Sequence, residues 1–239
     1  MSNVAIIFAG GTGNRMNTKS KPKQFLELHG KPILIYTLEV FDNHPEIDGI
    51  ILVILESWIG YCEDLISKFG LKKVRAVIAG GDSALSSQRN GLLKAAELFE
   101  PNSVVLIHDG VRPLIDEDTI SNNIESVKAN GSAITVSPAI ETIAVKTETG
   151  EIGEIIERSK VEMARAPQSF FLADILEAHE KAKKDGISFI DSASLMRHYG
   201  HKLFTVEGLP ENIKITTPND FYTFRALVDA RENSQIFGI

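Results

Sequence analysis

Gly10, Gly11 and Gly13 follow directly on the apolar run Val4 to Ala9, and Arg15, Lys19, Lys21, Lys23 and Lys31 crowd the residues around and after them. Glycines at the carboxyl end of a buried strand let the backbone approach a ligand and expose N–H groups that can hold an anion. A guanidinium at Arg15 can grip phosphate oxygens through two hydrogen bonds, while Lys21 and Lys23 add compact point charges. Phosphate binding is the chemistry these residue types offer; the same glycines would also serve a plain tight turn beside solvated lysines. Two familiar phosphate loops are excluded. A dinucleotide fingerprint wants a small residue where Met16 stands, and a P-loop wants Gly-Lys-Ser/Thr where this chain has Gly13-Asn14-Arg15.

Further along, "VVLIHDGVRP" sets Asp109 just past another buried run, with Arg112 three residues later. The 6 histidines show no metal-ligand spacing, and the 1 cysteine, Cys62, lies in an apolar helical pattern that suits an inert core thiol. A lone cysteine also excludes an internal disulfide and fits a reducing compartment, so the cytoplasm is the expected location. A formal net charge of −7 argues against a general nucleic-acid or membrane-surface binder, so any anionic partner needs a local cationic site.

These groups must be positioned by an α/β frame. At 239 residues, 43% hydrophobic and 24% charged, the chain suits one globular domain over 1–239. Short β-rich runs alternate with helical patterns, the signature of parallel strands joined by crossover helices. "VAIIFA", "GIILVIL", "VRAVIAGG", "SVVLIHD", "SAITVSP" and "KLFTVEG" read as strands. "PILIYTLEVFDNH", "WIGYCEDLISKFG", "SALSSQRNGLLKAAELF", "DEDTISNNIESVKANG", "FLADILEAHEKAKK", "DSASLMRHYG" and a segment from about Asn219 read as helices. "TIAVKTETGEIGEII" alternates like two antiparallel strands around a turn, a hairpin arm off the main sheet. "VAIIFA" lacks a basic leader and runs straight into glycines, so it reads as a strand rather than a signal peptide, and no run is long enough to span a bilayer.

Six islands, "AGGTGNRM", "KPKQF", "AGGDSALSSQRNGL", "IHDGVRP", "RAPQSF" and "ENIKITTP", occur in an order that resembles, nearly end to end, the cytidylyltransferases that activate a sugar-alcohol phosphate with CTP. That family comprises the 2-C-methyl-D-erythritol 4-phosphate and ribitol 5-phosphate enzymes. The resemblance implies a Rossmann-like nucleotidyltransferase fold, a mostly parallel twisted sheet flanked by helices. It also implies a protruding β-hairpin arm at about 139–160 that forms a homodimer. The implied reaction is attack of a phosphate-monoester oxygen on the α-phosphorus of CTP, with pyrophosphate leaving. That nucleophile is ionised near neutral pH, so positioning and electrostatics replace a strong base or a Ser-His-Asp set.

By the same resemblance, Arg15, Lys23 and Lys214 contact the triphosphate as the catalytic cations. Ala9, Gly10, Gly11, Thr12, Gly13, Gly81, Asp82, Ser87 and Asp109 bind the nucleotide. Asp109, Arg112, Thr142 and Arg158 bind the polyol phosphate, the last from the neighbouring subunit. Mg²⁺ is expected to arrive with the triphosphate, without a protein-built metal cage. Two positions depart from the family pattern: Ala84 replaces a frequent arginine, leaving Arg89 on the same helix to compensate, and Ala166 replaces the usual threonine before proline. "NIKITTP" and "HDGVRP" favour ribitol 5-phosphate as acceptor, with methylerythritol phosphate the alternative. A non-catalytic nucleotide sensor, weakened at Ala84 and Ala166, and an enzyme using UTP, GTP or ATP are the remaining readings.

Overall fold

The computed structural model describes residues 1–11 and 21–237. Strand β1 (Asn3–Phe8) precedes a 3₁₀ turn at Lys23–Phe25, the short strands β2 (Glu27–Leu28) and β3 (Lys31–Pro32), and helix α1 (Ile33–Asn43). Then come β4 (Gly49–Ile54), α2 (Ile59–Phe69), β5 (Val74–Ala79), α3 (Ala84–Leu98), β6 (Val104–Asp109), α4 (Glu117–Asn130) and β7 (Ser132–Pro138). An antiparallel hairpin of β8 (Ile143–Lys146) and β9 (Ile152–Ile156) follows, then β10 (Glu162–Phe171), α5 (Leu172–Asp185), α6 (Ser192–His198), β11 (Thr205–Glu207) and α7 (Pro218–Phe237).

Seven strands form one sheet in the order β11-β7-β10-β6-β1-β4-β5, with β10 antiparallel to both of its neighbours and every other pairing parallel. The apolar runs of β4 and β6 are buried at every position, as parallel strands covered on both faces must be. Alternation assigns their side chains to two cores. Ala5, Ile7, Leu52 and Leu106 meet α1, α2 and α4, whereas Val4, Ile6, Ile51 and Val105 meet α3, α5 and α6. Gly91 explains how closely α3 rides on this sheet: a Cβ there would lie 2.6 Å from Ile6 Cγ2 and 2.9 Å from Val53 Cγ2. Helix starts follow their caps, with Ser83, Asp116 and Asp191 accepting from backbone N–H groups at the heads of α3, α4 and α6. Cys62 is buried in the first core, where burial pushes its thiol up to about 12.

The sequence reading placed no strand between the hairpin and α5, and the structure corrects it with β10, which separates β6 from β7. Pro167 hid this strand, because a residue without an N–H argues against a central position. Here it falls within the register shift between Ala164 and Gln168, where the ladder to β7 is interrupted. No helix among the described residues is long and apolar enough to cross a membrane.

Two histidines are buried neutral. Burial pulls His108 down to about 4 against the opposing pull of Asp109, and burial beside Arg89 does the same to His179. Because the folded values lie below the unfolded one, the unfolded chain takes up these protons first as pH falls. Stability is therefore fully present above about pH 6.5 and is lost on going down toward pH 4. Urea unfolding at pH 5 should give about 1–2 kcal/mol less stability per histidine than at pH 7. His179→Gln should flatten that loss, and an unchanged pH slope in this variant would contradict the assignment.

Candidate active site

The carboxyl ends of β1, β5 and β6 open on one cleft, where an open parallel sheet accepts ligands. β1 and β6 run in register with Phe8 opposite Asp109, so the strand that leads into the glycines ends beside that carboxylate. Gly80 N–H donates to the Ile54 carbonyl at 2.8 Å, tying the loop after β5 to the end of β4. The cleft holds a cavity of about 380 Å³, lined by Ala9, Gly10 and Gly11 on one side and by Gly81, Asp82, Ser83, Ala84 and Ser87 on the other. Ser87 Oγ accepts from Gly81 N–H at 3.0 Å and so shapes the second wall from inside α3. Gln24 braces the first, donating to the Ala9 carbonyl at 2.6 Å while buried.

Lys23 and Lys214 both line this cavity. Lys23 is brought there by the 3₁₀ turn and donates Nζ–H to the Ile215 carbonyl at 2.9 Å, across a separation of 192 residues. Lys214, on the loop before α7, donates to Asp109 Oδ1 at 2.6 Å, and Arg112 Nε donates to Oδ2 at 2.8 Å. Arg112 also donates to the Asn212 carbonyl at 2.9 Å, so the loop bearing Lys214 is latched to the turn after β6. Burial alone would raise the Asp109 carboxyl, but Lys214 and Arg112 outweigh burial and hold it below the usual carboxylate range. The groups within reach of a ligand are thus an ionised aspartate between two cations, with a third cation, the Lys23 ammonium, lining the same cavity.

A second cavity, of about 180 Å³, adjoins the first and shares Phe8, Ala84, Asp109 and Lys214 with it. Its other walls carry Gln88, Arg112, Arg165, Gln168, Asp191 and Ser192. Arg165 was not among the residues expected from sequence to bind substrate, although it stands inside "RAPQSF". Its Nε donates to Ser137 Oγ at 3.0 Å, and burial together with the neighbouring Arg112 lowers its guanidinium from the usual range. Two guanidiniums that disfavour each other make a good seat for a dianion. Gln88, Gln168 and Asp191 also escaped notice; the only sequence signal for Asp191 was its helix-capping type, and it does cap α6. Ala166 is buried, lines this second cavity and accepts from Asn212 Nδ2 at 2.7 Å through its carbonyl.

Several expected residues lie elsewhere. Thr12, Gly13 and Arg15 fall outside the described residues. Thr142 and Arg158 are exposed on the arm, where Arg158 donates to the Ile140 carbonyl at 3.0 Å, and neither lines the two cavities. Arg89 does not compensate for Ala84: it turns to α5 and pairs with Glu180, its Nε and Nη2 reaching Oε1 at 2.8 and 2.5 Å. A helix places residues five apart on different faces, and α5 supplies the nearer carboxylate.

A doubly covered, mostly parallel sheet with a glycine-lined, lysine-flanked cleft at its strand ends suits an anionic nucleotide, and the family match makes the chain a nucleotidyltransferase. The chain belongs to the family described as IspD: 2-C-methyl-D-erythritol 4-phosphate cytidylyltransferase, whose pattern it matches over residues 3–230. It is 51% identical to a ribitol-5-phosphate cytidylyltransferase of Streptococcus agalactiae over 100% of both chains. It is 40% identical to a 2-C-methyl-D-erythritol 4-phosphate cytidylyltransferase of Clostridium acetobutylicum, over 95% of this chain and 97% of that one. In three dimensions it resembles the crystal structure of 4-diphosphocytidyl-2C-methyl-D-erythritol synthase from Anaerococcus prevotii, with TM-score 0.82, 28% identity and coverage of 95% and 96% of the two chains.

Proposed function

We propose that this cytidylyltransferase joins CTP to D-ribitol 5-phosphate, giving a CDP-polyol and pyrophosphate, within a single domain over 1–239. The observation that carries the reading is the meeting of the two cavities at Asp109 and Lys214, one large enough for a nucleotide and the other flanked by Arg112 and Arg165. The triphosphate lies along Gly10 and Gly11 with Lys23 and Lys214 against its phosphates. The acceptor's phosphate sits between Arg112 and Arg165, and its polyol reaches toward Gln88, Gln168 and Asp191. An acceptor phosphate oxygen then attacks the α-phosphorus, its pair forming the new P–O bond as the bond to pyrophosphate breaks. The lysines offset the negative charge that builds on the equatorial and leaving oxygens.

Mg²⁺ fits this site as a companion of the nucleotide, supplying neutralisation of the triphosphate charge. Asp82 faces the larger cavity, while both oxygens of Asp109 are already engaged by cations, so the protein's donor set is sparse and the nucleotide provides most ligands. The arm supports a homodimer. Ile140, Ile152 and Ile155 are 76%, 69% and 65% exposed on it, an apolar surface that a second copy would cover while carrying Thr142 and Arg158 toward the partner's site.

Ribitol as the acceptor rests on the 51% identity to the ribitol-5-phosphate enzyme; the family description and the 40%-identical relative favour methylerythritol phosphate. Pyrophosphate release with CTP and each polyol phosphate separates the two. Ribitol 5-phosphate should give the higher kcat/KM, and a clear preference for methylerythritol phosphate refutes the choice. In the same assay Arg165→Met should raise KM for the polyol phosphate by roughly 10- to 100-fold, the worth of a charge-assisted bond, with KM for CTP little changed. Equal effects on both substrates would remove Arg165 from the acceptor site.

A further inference from the structure

On the face of the molecule formed by the β2–β3 turn and α7, His29 Nε2 lies 3.0 Å from Asp229 Oδ1, and Glu232 stands one helical turn beyond Asp229. One donor atom from each of these three side chains falls within 4.8 Å of the other two, and no other such group occurs among the described residues. We propose that His29, Asp229 and Glu232 bind a divalent transition metal, Zn²⁺ being the best fit, and that this ion clamps the β2–β3 turn to α7.

The ligand chemistry selects the metal. Imidazole with two carboxylates suits Zn²⁺, Co²⁺ or Ni²⁺, whereas Mg²⁺ and Ca²⁺ take oxygen donors. Donors about 2.1 Å from one zinc ion lie roughly 3.4 Å apart in a tetrahedron, close to the His29–Asp229 spacing. Glu232 has the side-chain freedom to close the remainder, and the half-exposed setting admits water as a fourth ligand. Carboxylates gather on this face: after burial, the charges of Glu232, Glu39 and Asp229 push the Tyr36 phenol upward, with Glu39 itself paired to Lys31 at 2.6 Å. Arg225 Nε lies 3.7 Å from Asp229 Oδ2, while Oδ1 is the oxygen that meets His29. On binding, Nε2 gives its lone pair to the metal while the ring carries its proton on Nδ1.

The turn reaches His29 through His29 and Gly30 in left-handed conformations, φ 51° and 76°, just after the segment that carries Lys23. α7 follows directly on the loop that carries Lys214. An ion here therefore reinforces, from the far side, the junction that Lys23 and Ile215 already make.

Untagged, chelator-treated full-length protein should be titrated with ZnCl₂ in the absence of nucleotide, by calorimetry and by thermal melting. One Zn²⁺ per chain is expected, with a Tm rise of roughly 5 °C at a hundredfold excess over Kd and no competition from Mg²⁺. Co²⁺ should give a visible absorption band. His29→Ala, and separately Asp229→Asn with Glu232→Gln, should each weaken zinc binding at least about tenfold and abolish the band. Wild-type protein that binds no Zn²⁺ up to about 1 mM, or variants that bind it as the wild type does, would overturn the site.

Discussion

Lys214→Ala is expected to lower kcat/KM by roughly 10²- to 10³-fold, the usual cost of removing one preorganised donor from a developing oxyanion. The fall should appear mainly in kcat, because the ammonium gains most as charge moves onto the leaving pyrophosphate. Folding should survive. The Lys214 side chain is 41% exposed, and its partner Asp109 keeps Arg112. Lys23 is a stricter case, since its stem is buried and its ammonium satisfies the Ile215 carbonyl. Lys23→Met keeps the stem and should reduce turnover by a similar factor while costing about 1–3 kcal/mol for the carbonyl left without its donor. Steady-state kinetics beside urea unfolding distinguish the two effects. Near-normal turnover in a folded Lys214→Ala protein would deny that this lysine acts on the triphosphate.

Asp109→Asn should damage both catalysis and stability. Its side chain is 8% exposed, lines both cavities, and holds Lys214 and Arg112 by one oxygen each. The amide keeps the size but not the charge, leaving the buried Arg112 guanidinium without its counter-ion. Breaking such a pair costs about 3–5 kcal/mol when both partners are buried; exposure of Lys214 brings the expectation to about 2–4 kcal/mol. kcat/KM should fall by at least roughly 10²-fold, because both lysine and arginine lose their orientation. The double variant with Lys214→Ala should lose less than the sum of the singles, since the two groups act as a unit. Additive losses would break the coupling.

The pH dependence follows from the direction in which Asp109 is held. Its folded value lies below the unfolded one, so the ion pairs contribute fully above about pH 4 and are lost only as pH falls through the depressed folded value. Acid destabilisation between pH 6.5 and 4 should therefore come from His108 and His179, with Asp109 adding its share below that.

Much of the frame was legible because it is written in short-range patterns. Val4 to Ile7, Gly49 to Ile54 and Val104 to Ile107 are apolar at consecutive positions, and only a strand covered on both faces can bury them all. Ser83 and Asp116 announced helix starts by a hydroxyl or carboxylate placed to meet free N–H groups. The alternation of residues 143–156 gave away the hairpin, whose strands pair Ile143 with Ile156. β10 was not legible, since Pro167 breaks its pattern and only the interruption of the ladder beside β7 makes room for it. Arg165 went unassigned for the same reason: without its strand, it had no wall to stand on.

The sequence by itself determined the types of the principal elements apart from β10 and the faces they bury, since each depends on residues a few positions apart. Tertiary structure alone decided partners. It brought Lys23 within 2.9 Å of the Ile215 carbonyl, sent Arg89 to Glu180 instead of the cleft, and set Arg165 beside Arg112 at the second cavity. Hydrophobic periodicity is local, whereas an ion pair or hydrogen bond acts over a few ångströms and is settled only when the packed sheet fixes which distant segments meet.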